Sequence, residues 1–183
     1  MNLANKLTMF RIILIPFFLL ALYLLPFPWG RYIGVALFIV AALTDFADGY
    51  IARKYKMITN FGKFMDPLAD KMLVGAALIY LTESQIVPAW ATVVIISREF
   101  LISGFRLIAA EKGQVIAAGF WGKVKTAFTL VALPVLLLPL EEMEHSDHAL
   151  LLTVHLILIF FMVLLTVLSA ADYLAKNKGI LKD

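Results

Sequence analysis

Residues 45–71 read DFADGYIARKYKMITNFGKFMDPLADK and lie inside an otherwise apolar chain. Their carboxylates form two pairs, Asp45/Asp48 and Asp66/Asp70, three and four residues apart. Those spacings match the helix repeat, so each pair falls on one helix face. A basic connection from Arg53 to Lys63 joins the pairs. Charge of this density is expensive in apolar surroundings, which makes the stretch a functional site by default.

The surrounding sequence decides the fold class. Of 183 residues, 62% are hydrophobic and 16% charged, with a mean hydropathy of +0.91. A soluble domain carries about 45–50% apolar and about 25% charged residues. The chain is therefore an all-α integral membrane protein, with room for about six spans of ~20 residues each. Little remains for a soluble domain, so residues 1–183 are read as one membrane domain. Cysteine is absent, which excludes disulfides and thiolate metal sites. The net charge of +3 fits basic loops at a membrane face rather than nucleic-acid binding. The first residues, MNLANKLTMFRIILIP, resemble a signal peptide, but Pro26-Phe27-Pro28-Trp29 follows in place of a small-residue cleavage site. The segment is read as a retained first span.

Punctuation by proline, glycine and charge places the elements. Residues 2–9 are expected to form a short interfacial helix with Asn5, Lys6 and Thr8 on its polar side. Spans are expected over about 9–26, 31–55, 63–82, 87–110, 120–140 and 149–175. Pro88 suits the first turn of the fourth, and Pro134 is expected to kink the fifth. Gly30-x3-Gly34 has the spacing of a helix-packing motif, although it is short and starts at a turn. An even number of spans puts both termini on one side. That side gathers Lys6, Arg11, the 53–63 connection, Lys112, Lys123, Lys125, Lys176, Lys178 and Lys182, against Arg31 alone opposite. The asymmetry places both termini in the cytoplasm.

Depth follows from the helix rise of about 1.5 Å per residue. Span 2 descends toward the cytoplasm and span 3 climbs away, so Asp48 matches Asp66 in depth and Asp45 matches Asp70. The carboxylates then converge in a cavity open to the cytoplasm, where unpaired they would repel and mostly take up protons. Two divalent cations would cancel their charge. All-oxygen ligation suits Mg²⁺, Mn²⁺ or Ca²⁺ rather than zinc, and a two-metal carboxylate cluster favours in-line displacement at phosphorus. Gly49, Ala52 and Gly62 keep the helix backbones open to a ligand, or serve helix packing. Arg53, Lys63 and Lys71 offer positive charge for phosphate.

Written out, the stretch is Asp45-x2-Asp48-Gly49-x2-Ala52-Arg53-x8-Gly62-x3-Asp66-x3-Asp70. It resembles the complete signature of the CDP-alcohol phosphotransferase family. That resemblance implies a six-helix membrane enzyme, usually a homodimer, which displaces CMP from a CDP-linked donor with an alcohol. It implies that Asp45, Asp48, Asp66 and Asp70 hold two ions, Mg²⁺ or Mn²⁺, and that Asp70 is also the general base. Gly49, Ala52 and Gly62 would line the cytidine site, with Arg53 near the donor phosphates. Residues 5–11, NKLTMFR, resemble the family's Asn-x2-Thr-x2-Arg opening, which brings Asn5 and Thr8 into the candidate set. Residues 97–113, SREFLISGFRLIAAEKG, and 121–129, WGKVKTAFT, resemble the bacterial branch that joins CDP-diacylglycerol to sn-glycerol 3-phosphate. The implied location is the bacterial cytoplasmic membrane, with the active site facing the cytoplasm.

The cations of the second half support a phosphate-bearing acceptor. Arg98 lies about 15–18 Å above the cytoplasmic end of its span at ~1.5 Å per residue. A dianionic acceptor needs cationic partners, whereas inositol or serine does not need several. Arg98, Arg106, Lys123 and Lys125 are the candidates, with Thr126 offering a hydroxyl. For Arg98 the competing reading is an internal ion pair with Glu99 or an aspartate of the cluster. For Lys123 and Lys125 it is ordinary loop charge. Two other functions remain in view: a family member acting on inositol or serine, and a divalent-cation transporter. The transporter requires an acidic pathway continuing to the outer face, and the upper halves of spans 2–5 offer none.

Overall fold

In the computed structural model, residues 3–54, 60–111, 119–140 and 148–177 are described, and all their regular structure is helical. Six helices follow in order: α1 (Leu3–Leu24), α2 (Trp29–Lys54), α3 (Asn60–Glu83), α4 (Ala89–Glu111), α5 (Phe120–Leu137) and α6 (His148–Lys176). The side chains of residues 3–5, 45–54, 60–67, 70, 110 and 111 lie outside the described set. Three helices are long and apolar enough to cross a membrane, over Lys6–Leu24, Phe120–Leu137 and His148–Lys176, and α2 adds a shorter apolar stretch, Trp29–Thr44. The described part of α4 carries Arg98, Glu99 and Arg106 amid its apolar residues, which lowers its hydropathy.

The chain divides into two units, Met1–Leu81 with Leu133–Asp147, and Thr82–Ala132 with His148–Asp183. In the first, α1 packs along α2 as an antiparallel hairpin. α1 buries Thr8, Arg11, Ile15, Phe18 and Leu22. Their three- and four-residue steps form one inward stripe. Phe10, Ile13, Phe17, Leu20 and Leu24 form the opposite, exposed stripe. An exposed row of large apolar side chains would be a liability in water and is what lipid solvates. Phe18 meets Phe38 of α2 with ring centroids 6.1 Å apart.

Gly30 and Gly34 let α2 approach α1. A Cβ at Gly30 would lie 2.7 Å from the Ala21 carbonyl oxygen and 3.0 Å from that of Leu25. At Gly34 it would lie 2.6 Å from Leu22 Cδ2. The pair therefore serves helix packing, despite starting at a turn. That turn follows Pro26, where Gly30 N–H donates to the Pro26 carbonyl at 3.1 Å and Arg31 N–H to that of Pro28 at 3.0 Å. The short interfacial helix expected over 2–9 is not separate: from Leu3 these residues are the first turns of α1. Thr8, expected on a polar face, is buried.

In the second unit α4 packs on α6, with Ile102, Phe105 and Tyr173 at the contact and Leu174 beside them. Phe105 and Tyr173 meet edge to face at 5.7 Å. Along α6 the buried residues Ile159, Met162, Thr166, Ser169 and Tyr173 again step by three and four. Pro88 precedes α4 rather than occupying its first turn, and its carbonyl accepts from Ala91 N–H at 2.9 Å and Thr92 N–H at 3.3 Å. Gln85 adopts φ 59°, the left-handed conformation that ends α3. The hydroxyls of Thr82 and Thr92 share a 2.6 Å hydrogen bond across this turn. α5 continues through Pro134 to Leu137.

Candidate active site

The aspartates are carried by two helices of the first unit. Asp45, Asp48, Gly49, Ala52 and Arg53 lie in the last turns of α2, and Gly62, Lys63, Asp66 and Asp70 in the first three turns of α3. Their side chains are outside the described residues, as is that of Asn5. The helical backbone sets Asp45 and Asp48 about one turn apart along α2, and Asp66 and Asp70 about one turn apart along α3. Among the described residues no three His, Cys, Asp or Glu side chains gather as a metal group.

Thr8 and Arg11 sit one turn apart on α1, 1% and 0% exposed. Sequence reasoning placed Thr8 in the candidate set and counted Arg11 only as topology charge. Arg11 ends the Asn-x2-Thr-x2-Arg opening. A fully buried guanidinium within an apolar span carries the same cost argument that singled out Arg98, and that signal was present in the sequence.

The cations of the second unit are sorted by the helices that carry them. Lys125 is buried on α5, one turn before the buried Thr129. Its ammonium donates to Glu99 Oε1 on α4. Arg98 Nη1 donates to the same oxygen at 3.0 Å. Thus the structure brings Arg98 and Lys125 together, through a carboxylate outside the candidate set. The ion pair weighed for Arg98 against a substrate role exists, and Lys125 is a helix residue rather than loop charge. Arg98 Nη2 passes 3.8 Å from where a Cβ of Gly122 would be, so the α5 amino-terminal turn leaves room for the guanidinium. Arg106 and Lys123 are exposed. Thr126 is exposed too, and its hydroxyl donates to the Gly122 carbonyl at 3.0 Å. These three are not drawn into the Glu99 cluster by any described bond.

Two neighbours complete the picture. Asp172 of α6 sits at the start of α5, with Oδ2 3.1 Å from a Cβ placed on Gly119. It also pairs with Lys176 at 2.7 Å. The buried Tyr173 hydroxyl, the Arg98 Nε and the Thr129 hydroxyl have no hydrogen-bond partner among the described residues. Unspent donors of this kind are costly unless a ligand or water meets them.

Six helices, three of them long and apolar enough to cross a membrane, set the class of the chain, and its likeness to known proteins narrows it. The family model for CDP-alcohol phosphatidyltransferase matches residues 1–173. The chain belongs to this family. It is 46% identical to the CDP-diacylglycerol--glycerol-3-phosphate 3-phosphatidyltransferase of Bacillus subtilis, covering 99% of this chain and 97% of the relative. It is 41% identical to the protein of the same name from Haemophilus influenzae, over 100% and 96%. A probable phosphatidylglycerophosphate synthase of Mycobacterium tuberculosis is 39% identical over 96% and 81%.

Proposed function

We propose that this protein transfers the phosphatidyl group of CDP-diacylglycerol to sn-glycerol 3-phosphate, releasing CMP and forming phosphatidylglycerophosphate. The observation that carries this reading is near full-length similarity to relatives bearing that name, at 46% and 41% identity. The physical support is a helical carboxylate set for the donor's pyrophosphate, together with two cations, the part-buried Arg98 and the buried Lys125, suited to an acceptor phosphate.

The roles divide as follows. The donor's acyl chains stay in the bilayer, and its CDP head reaches α2 and α3. Gly49, Ala52 and Gly62 leave room for the cytidine, and Arg53 serves the donor phosphates. Asp45, Asp48, Asp66 and Asp70 would hold two divalent cations, Mg²⁺ or Mn²⁺. When bound, such ions neutralise charge on the pyrophosphate and on the leaving CMP. Asp70 takes the proton from the acceptor's primary hydroxyl. The hydroxyl oxygen forms a bond to the lipid-side phosphorus while the bond from that phosphorus to the CMP oxygen breaks. Arg98 and Lys125 bind the acceptor's phosphate, with Arg106, Lys123 and Thr126 as further candidates for it, and Asn5 and Thr8 of the opening motif are binding candidates in their own right. We further propose one domain of six membrane spans, both termini and the active site facing the cytoplasm of a bacterial inner membrane, and a homodimer.

Purified protein supplied with CDP-diacylglycerol and Mg²⁺ should release CMP with sn-glycerol 3-phosphate and not with myo-inositol or L-serine. CMP release with inositol or serine alone would reassign the acceptor.

A further inference from the structure

Glu99 is the residue on which the second unit's buried charges converge, and neither the signature nor the relatives' names assign it a role. Its Oε1 accepts from Arg98 Nη1 at 3.0 Å and from Lys125 Nζ. The side chains of Arg98, Lys125 and Glu99 are 13%, 4% and 20% exposed. Two cations this buried repel one another and would not hold neighbouring positions unaided. A single carboxylate oxygen between them removes the repulsion and fixes both donors in direction. Arg98 is thereby held by one corner. Its Nε remains buried and without a hydrogen-bond partner among the described residues, and its Nη2 lies over Gly122. Lys125, with three ammonium hydrogens, commits one to Glu99. The arrangement has the form of a pre-oriented anion clamp: donors already aimed, with part of their hydrogen-bonding capacity unspent.

We infer that Glu99 is the positioning residue of the acceptor site, holding Arg98 and Lys125 side by side so that their remaining N–H groups receive the acceptor's phosphate. The inference rests on the assignment of Arg98 and Lys125 to that phosphate. Glu99 does not touch the acceptor; it acts through the two cations. It also leaves the cluster a net positive charge, from two cations and one carboxylate, so phosphate is still attracted.

The sign of one substitution separates positioning from simple charge opposition. Were Glu99 only a negative charge near the site, its removal would strengthen phosphate binding. Positioning predicts the reverse. Glu99→Gln and Glu99→Ala should each raise the KM for sn-glycerol 3-phosphate roughly tenfold, by loss of charge-assisted hydrogen bonds. The KM for CDP-diacylglycerol should stay within about twofold, since that substrate makes no use of the cluster. Inhibition by inorganic phosphate, competitive with the acceptor, should weaken by the same factor. The charge-exchanged pair Glu99→Lys with Lys125→Glu keeps an ion pair between α4 and α5 but moves the ammonium to the other helix. It should remain as impaired for the acceptor as Glu99→Gln; full recovery would show Glu99 to be a structural brace and overturn the inference. An unchanged or lowered acceptor KM in Glu99→Gln, with a raised one in Lys125→Ala, would also overturn it. If Lys125→Ala and Arg98→Ala both leave the acceptor KM unchanged, the acceptor-site assignment itself fails. Retained donor KM shows which variants are folded, and Glu99→Gln, nearly isosteric, keeps the test open should Glu99→Ala not fold.

Discussion

Asp70 and Lys125 are asked to do different work, and single substitutions separate them. Asp70→Asn removes the proposed base while keeping shape. It should reduce turnover to background and leave CDP-diacylglycerol binding largely intact, as measured by donor binding beside single-turnover CMP release. Normal turnover would remove Asp70 from that role. Lys125→Ala removes a charge-assisted donor to phosphate and strands Glu99 beside Arg98 alone. Hydrogen bonds involving charged groups contribute about 1.5–3 kcal/mol, so kcat/KM for the acceptor should fall roughly 10- to 150-fold. Legibility at this scale was uneven. The aspartates stood out because carboxylates at helical spacing in apolar sequence have few inexpensive explanations. Glu99 did not, because beside Arg98 it reads as a local pair, and its partner Lys125 lies 26 residues away. Arg11 hid among the basic residues of the positive-inside count.

Helix packing gives the second set of expectations. Gly30→Ala drives a Cβ to 2.7 Å from a backbone oxygen of Ala21, which cannot rotate away. The strain, about 1–3 kcal/mol for overpacking, outweighs the ~1 kcal/mol that alanine gains over glycine in a helix. Gly34→Ala meets the end of the Leu22 side chain, which can shift. Gly104 has nothing within 4 Å of an added Cβ. Thermal unfolding in one detergent should therefore rank Gly30→Ala least stable, Gly34→Ala intermediate and Gly104→Ala at or above the parent. A parent-like Gly30→Ala would contradict the close approach of α1 and α2. Helix positions were readable to within a few residues because prolines, glycines and charges punctuate the apolar runs, as at Pro26–Trp29 and Thr82–Pro88. The error at 2–9 has a plain cause. Asn5, Lys6 and Thr8 read in sequence as one polar surface face, whereas Thr8 is buried with Arg11 on the inward stripe of one continuous α1.

For the molecule as a whole, composition carried the class, and three helices meet the length and hydropathy needed to span a bilayer. Topology is directly testable because the chain has no cysteine. A single cysteine in place of His145 should react with a membrane-impermeant maleimide in intact cells, and one in place of Lys178 only after permeabilisation. Labelling of both from the same outer side would reverse or break the six-span arrangement. The division into two units was not readable beforehand, since no linker or composition shift marks it; it appears only through contacts distant in sequence, such as Glu99 with Lys125. Chelation of divalent cations should abolish activity, with Mg²⁺ or Mn²⁺ restoring it, while activity that persists in chelator would remove the carboxylates' proposed role. The central claim is the reaction, and the identity of the lipid product tests it most directly. Purified protein given CDP-diacylglycerol, labelled sn-glycerol 3-phosphate and Mg²⁺ should yield labelled phosphatidylglycerophosphate by mass spectrometry, one equivalent per CMP released. CMP release without label in the lipid would contradict it.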